Sequence, residues 1–142
     1  MMPAGRLLCL DVGGKRIGVA VSDDLGMIAS PVAMVPRGAA SGREIRAHAD
    51  RLGVVGIVVG LPVGMSGREG PQAGEVRSFV AEIESELGLP LDYWDERLTT
   101  SIAEKTLIAG GTRRDQRKAK IDAAAAAVIL QGYLDRQRWG RR

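Results

Sequence analysis

The sequence predicts an α/β fold: a five-stranded mixed sheet, antiparallel over its first three strands and parallel thereafter, flanked by helices. Three observations predict it. Two apolar runs, residues 6–12 and 16–22, are separated only by a glycine-bearing turn, as in a hairpin. Beyond residue 40, apolar runs of strand length alternate with helical stretches, the pattern of crossover units with helices over a sheet. The chain has 142 residues, 45% of them hydrophobic, which suits one domain with a real core.

The elements follow in order. Residues 6–12 (RLLCLDV) are an apolar run ending in a carboxylate and then Gly13-Gly14, a buried strand entering a turn. In residues 16–22, Ile17, Val19 and Val21 alternate with Gly18, Ala20 and Ser22, the period of a strand. The short connection makes these two strands antiparallel, and a third over residues 31–35 completes a meander. Ser41 followed by Glu44 reads as a capping box for a helix to Leu52, ended by Gly53. Residues 54–59 (VVGIVV) are apolar nearly throughout, as a strand covered on both faces would be. The glycine-rich loop 60–70 is a candidate lid over the strand end. Pro71 suits the first turn of a helix that runs to Leu87, before Gly88 and Pro90. A short strand, 91–94, runs into Asp95-Glu96-Arg97. Ser101 and Glu104 suggest a further capped helix to Ala109, and a basic segment, 112–120, leads to an alanine-rich helix over 121–136. Right-handed crossovers leave the last two strands parallel, and sites in such sheets gather at the carboxyl ends of the strands. Residues 1–138 are expected to form the single domain and 139–142 a basic tail.

Composition narrows the chemistry. One cysteine and one histidine exclude a disulfide framework and a metal site built on Cys or His. Cys9 reads as a small apolar residue of the first strand. Aromatic residues are only 4%, so the core is aliphatic. The run 7–10 is stopped by Asp11, too short for a signal-peptide core. The uncharged stretch 52–67 is broken by glycine and proline and does not span a bilayer. The expectation is a cytoplasmic protein with no membrane partner. Residues 1–112 hold 11 Lys/Arg and 14 Asp/Glu, net −3, whereas 113–142 hold 9 and 3, net +6. Basicity is thus a carboxyl-terminal property, read either as a solvated helix and tail or as a polyanion-binding surface.

Three carboxylates stand in telling places: Asp11 and Glu96 at strand ends, Asp122 in the first turn of the last helix. A carboxylate inside an apolar run is costly without a partner or a metal, and converging carboxylates suit hard cations such as Mg²⁺ or Mn²⁺. The plainer readings are that Asp122 favours a helix N-terminus and that Glu96 and Arg97 form a surface pair. Asp11 resists a plain reading because its neighbours Leu10 and Val12 look buried. Lys15 and Arg16, in the turn beside Asp11, could hold a phosphate, or simply make a hairpin turn. Arg113, Arg114, Arg117, Lys118 and Lys120 precede Asp122, where a nucleic-acid backbone could pass.

The blocks LDVGGKRIGVAVSD (10–23), VVGLPVGMSGREGPQA (58–73), DERLTT (95–100) and KIDAAAAAVILQGYLD (120–135) resemble those of the YqgF/RuvX family, in the family's order and over nearly the whole chain. Members are bacterial pre-16S rRNA nucleases, also described as Holliday-junction-resolvase-like. The resemblance implies an RNase H-like fold with sheet order 3-2-1-4-5. It carries the family's acidic residues onto Asp11, Glu96 and Asp122, as catalytic residues and ligands of Mg²⁺ or Mn²⁺. It implies phosphodiester hydrolysis in maturing the 5′ end of 16S rRNA, with RNA as partner, DNA as an alternative substrate and a ribosomal particle as a further partner. Lys15, Arg16, Arg97 and the basic segment are the expected nucleic-acid contacts. Gly14 is a departure, since the family usually has Thr or Ser there. Two other readings are open. A phosphate loop of the actin/Hsp70/sugar-kinase type also resembles Asp11-Val12-Gly13, but needs two such domains. A non-catalytic factor binding nucleic acid in transcription needs no metal. The sequence leaves monomer and homodimer equally open.

Overall fold

The computed structural model describes residues 2–63, 67–98 and 123–140. Its strands are β1 (Leu7–Val12), β2 (Arg16–Ser22), β3 (Ala29–Pro36), β4 (Gly56–Leu61) and β5 (Leu91–Asp95). Its helices are α1 (Ser41–Leu52), α2 (Pro71–Leu87) and α3 (Ala124–Gly140), with a 3-10 turn at Glu96–Leu98. The five strands form one sheet in the order β3-β2-β1-β4-β5. β1, β2 and β3 pair antiparallel, and β4 lies parallel to both β1 and β5. The expected helix 101–109 and the basic segment lie outside the described residues.

Alternation along the central strands divides the core into two layers. Leu8, Leu10, Ile17, Val19, Ile57 and Val59 meet α1 and α2 on one face. Leu7, Cys9, Ala20 and Val58 meet α3 on the other. All six residues of β4 are buried, because the strand is central and covered on both sides. Helix α3 buries Ala126, Ala127, Leu130, Tyr133 and Leu134 against the sheet, and its small first-turn side chains let it approach closely.

Helix ends obey the sequence punctuation in two cases and depart from it in one. α2 begins with Pro71 and closes at Gly88 in the left-handed region, φ 60°, and α1 closes at Gly53, φ 66°. Arg46 Nη1 donates to the carbonyls of Glu86 and Leu87, each at 3.0 Å, covering the end of α2. The capping box expected of Ser41 and Glu44 does not form. Ala40 is the N-cap and has no side-chain cap bond. Ser41 Oγ instead accepts from the Gly38 N–H at 2.7 Å and donates to the Pro36 carbonyl at 2.8 Å, closing the loop behind the helix.

Strand bounds also move. β3 runs from Ala29 to Pro36, longer than residues 31–35, because its first residues continue the ladder to Val21 and Ser22. β4 begins two residues later than expected and continues through Gly60 and Leu61, which pair with Trp94 and Asp95. Pro31 and Pro36 stand on the outer strand β3, where a missing N–H discourages addition of another strand.

Candidate nucleic-acid-cleaving site

The up-down-up course of β1, β2 and β3 brings the carboxyl ends of β1 and β3 to one edge of the sheet. The parallel strands β4 and β5 end there too. Two of the three candidate acids, Asp11 and Glu96, lie at this edge.

Asp11 is the penultimate residue of β1 and pairs with Gly18 of β2. A Cβ at Gly18 would lie 3.5 Å from Ala126 Cβ of α3 and 3.5 Å from Asp11 Cβ, both ordinary contacts, so α3 passes close beside the acid. The strand then turns at Gly13, whose N–H donates to the Arg16 carbonyl at 2.9 Å. A Cβ at Gly13 would stand 2.7 Å from that same carbonyl oxygen, which only glycine avoids. At Gly14 a Cβ would meet nothing within 4 Å. The position is therefore open to a side chain.

Glu96 opens the 3-10 turn after β5. Its carboxylate reaches back across β4, where a Cβ at Gly60 would lie 2.9 Å from Glu96 Oε1 and 2.9 Å from Ile129 Cδ1 of α3. Asp11 and Glu96 thus share the α3 side of the sheet edge. Burial pushes the Asp11 carboxyl up from its ordinary range. Glu96 is also pushed up, first by burial, then by the charge of Asp11 and of Asp95. The Cys9 thiol is raised well above its ordinary value by burial and by both carboxylates, so it stays protonated and is no nucleophile.

A cleft of ≈ 320 Å³ opens over this edge, lined among others by Asp11, Glu96, Gly13, Arg37, Gln72 and Glu75. A second hollow, of ≈ 80 Å³, lies at the amino end of β1, walled largely by Leu7, Leu25, Tyr133 and Leu134. Of the two, the first holds the converging carboxylates with raised pKa values, a feature that reactive sites share. Two half-buried carboxylates, both raised by burial and Glu96 further by the charge of Asp11, form a donor set fitted to a hard divalent cation. Among the described residues no third His, Cys, Asp or Glu joins them. Asp122 lies outside the described residues, as do Arg113, Arg114, Arg117, Lys118 and Lys120.

Lys15 and Arg16 are exposed in the hairpin turn at the same edge. Arg97 does not pair with Glu96. It folds back on Asp95, with Nη2–Oδ2 at 2.6 Å and Nε–Oδ1 at 3.1 Å, while its backbone N–H donates to Asp95 Oδ1 at 2.9 Å. Glu96 is turned inward toward β4, and the carboxylate left within reach of Arg97 is that of Asp95. The loop after β4 is fastened at its base, where Val63 bridges Glu69 and Arg77 grips both Glu69 oxygens at 2.6 and 2.9 Å. The sequence reading missed Arg37, Gln72 and Glu75. The meander could have found Arg37, since whatever follows an antiparallel third strand returns to the carboxyl end of the first.

The sheet order and the acids at its carboxyl edge define an RNase H-like α/β domain. Thermus thermophilus RuvC bound to a Holliday junction substrate has the same fold, with TM-score 0.55 at 13% identity over 96% of each chain. Another Thermus thermophilus RuvC structure gives 0.53 at 14%, over 95% of this chain and 96% of that one. The chain belongs to the RuvX family, whose model, described as Holliday junction resolvase, matches residues 5–136. A relative from Cereibacter sphaeroides strain ATCC 17025 is 46% identical over 138 residues, 96% of this chain and 86% of its own. One from Heliobacterium modesticaldum is 48% identical over 132 residues, 92% and 89%. One from Geobacillus kaustophilus is 46% identical over 137 residues, 94% and 99%. All three bear the name "Putative pre-16S rRNA nuclease".

Proposed function

We propose that this chain is a divalent-metal-dependent nuclease acting on RNA in the cytoplasm, in 5′-end maturation of pre-16S rRNA on a ribosomal particle. The observation that carries the reading is the pairing of Asp11 and Glu96 in one half-buried cleft at the carboxyl edge of the sheet. The names of the relatives supply the substrate.

Asp11, Glu96 and Asp122 would hold Mg²⁺ or Mn²⁺. Support for Asp122 comes from its neighbours: Ala123 is fully buried, and α3, which starts at the next residue, sets Ala126 beside Gly18, the partner of Asp11. The chemistry supplied by such an ion is charge stabilisation of the phosphate and a lowered pKa for the attacking water. The chain's own residues do the rest. Asp11 is fixed by the ladder of a central strand, and Glu96 lies packed over Gly60. Both therefore meet the phosphate with little reorganisation, which preserves the line of attack. Lys15 and Arg16 lie at the edge where the flanking strand of RNA would run, and the basic segment before Asp122 would add further phosphate contacts. Such contacts give affinity and register rather than sequence choice.

The test is cleavage of labelled single-stranded RNA, a pre-16S leader fragment, single-stranded DNA and a four-way DNA junction, with Mn²⁺, Mg²⁺ or EDTA. Asp11→Asn and Glu96→Gln are run alongside. Cutting that needs the ion and falls at least about 100-fold in either variant supports the reading. Cutting that persists in Asp11→Asn would sink it. The DNA junction is included because the matching family is described as a Holliday junction resolvase; preference for the junction would move the substrate from RNA to DNA.

A further inference from the structure

We infer that Arg37 grips a backbone phosphate of the nucleic-acid strand lying beside the acid pair. The inference rests on the nucleic-acid reading of this cleft. Arg37 follows β3 directly and lines the cleft that holds Asp11 and Glu96. Its main chain is tied to the hairpin turn, the N–H donating to the Lys15 carbonyl at 2.9 Å. Its side chain is held on two sides: Nη1 donates to the Gly13 carbonyl at 3.0 Å, and the guanidinium lies 4.9 Å from the centre of the Phe79 ring.

The nature of these contacts sets it apart from five other arginines. Arg6, Arg46, Arg77, Arg97 and Arg138 each bond a carboxylate, which fixes the side chain and cancels its charge. Among the described residues, Arg37 is fixed by a carbonyl and an aromatic face, both neutral. Glu75 lines the same cleft but lies beyond the 4.0 Å of an ion pair. Among the described residues no carboxylate pairs with Arg37, which holds a set position lining the same cleft as Asp11 and Glu96. A guanidinium has five N–H donors. With one committed to Gly13, enough remain for a two-point grip on phosphate, the geometry at which Arg excels over Lys.

The test measures binding apart from cleavage. A fluorescent ten-nucleotide single-stranded RNA is titrated with the full chain in EDTA across a salt series, comparing parent, Arg37→Gln and Arg37→Lys. Losing one phosphate contact flattens the plot of log affinity against log salt by about 0.7 for a single strand, so Arg37→Gln should show that change and bind about fivefold or more weakly at low salt. Arg37→Lys should keep the parent slope with reduced affinity, because it keeps the charge and loses the fork. An unchanged slope in Arg37→Gln overturns the inference, even if affinity drops, since a merely structural arginine would not alter ion release. Should Arg37→Gln fail to fold, parent affinity in Arg37→Lys at every salt concentration overturns it instead. RNA bound but never cut would remove the nuclease reading and leave Arg37 standing. Cutting with an unaltered Arg37→Gln slope would do the reverse, and a parent chain that binds no RNA removes the inference outright.

Discussion

Gly60 offers a direct test of how the site is assembled. It is a strand residue whose φ lies outside the left-handed region, so alanine suits the backbone and even removes some unfolded-state entropy. The obstacle is room alone. The new methyl would lie 2.9 Å from Glu96 Oε1, 2.9 Å from Ile129 Cδ1 and 3.4 Å from Glu96 Cγ. Comfortable carbon contacts are about 3.5–4.0 Å, so each neighbour must retreat by ~0.6–1 Å. Ile129 is buried and cannot move far without displacing α3. Glu96 has rotatable bonds and gives way more readily. Overpacking of this size costs about 1–2 kcal/mol, a fall of roughly 3–8 °C in Tm for a chain of this length. A carboxylate displaced by about 1 Å costs ~100-fold in rate. The expected result for Gly60→Ala is therefore a folded protein, modestly less stable, with cleavage reduced far beyond what its Tm explains. Thermal melting and single-turnover cleavage measure the two. Parent-like activity, or a loss of activity only in step with unfolding, would refute the claim that Gly60 sets the position of Glu96.

Three further outcomes are expected. Asp11→Asn should raise Tm in EDTA by about 3–5 °C, near 1 kcal/mol, since it removes a half-buried charge that also opposes Glu96; a lower Tm would contradict the repulsion. Tyr133 is 2% exposed, and its hydroxyl donates to Asp92 Oδ2 at 3.3 Å; burial, then the Asp92 charge and this hydrogen bond, push its pKa up to about 12. Because the folded value exceeds the unfolded value near 10, stability is full below about pH 10 and falls by about 2–3 kcal/mol as pH rises through 12; urea midpoints between pH 9 and 12 should fall more steeply for the parent than for Tyr133→Phe, and equal slopes would remove the claim. Gln131 accepts from the Ala29 N–H at 2.9 Å and donates to the Met27 carbonyl at 2.9 Å, stitching α3 to the start of β3; Gln131→Ala should cost about 1–2 kcal/mol and speed hydrogen exchange at the Ala29 amide, and unchanged exchange there would count against it.

What could be read from the chain alone follows a physical divide. α2 was legible because Pro71 and Gly88 act through their own backbone preferences, which need no tertiary partner. The meander was legible because side-chain alternation and a two-glycine turn are local signals. Sheet order was not local, and came only with the family resemblance. The failures are places where a partner distant in sequence decides. Ser41 has the right spacing for a cap, yet its hydroxyl is spent on the Gly38 and Pro36 backbone. Gly60 reads as the start of a loop, yet it is strand, and glycine because Glu96 and Ile129 occupy the space a side chain would need. Even the wrong reading carried information: a glycine inside a strand often marks a close approach of something important. Asp11 stands out in the sequence for a related reason, since it interrupts an apolar run whose burial it makes more costly.

The cations teach the complementary lesson. Sequence counts charge but does not show which charges are cancelled. Arg97 lies next to Glu96 and looked like a substrate contact, but Asp95 holds both its Nε and its Nη2, and Asp95 is correspondingly driven below the ordinary carboxylate range. A phosphate that recruited Arg97 would first have to displace that carboxylate or share the guanidinium with it. Arg37 lies far from any acidic block in the chain, yet it lines the cleft already oriented by neutral groups. Binding energy from a group that is both charged and pre-set is available to a ligand without a prior exchange of partners. The same consideration orders the two arginines experimentally: removing Arg37 should alter the salt dependence of binding, whereas Arg97→Gln should leave it nearly unchanged and act instead through the turn that positions Glu96.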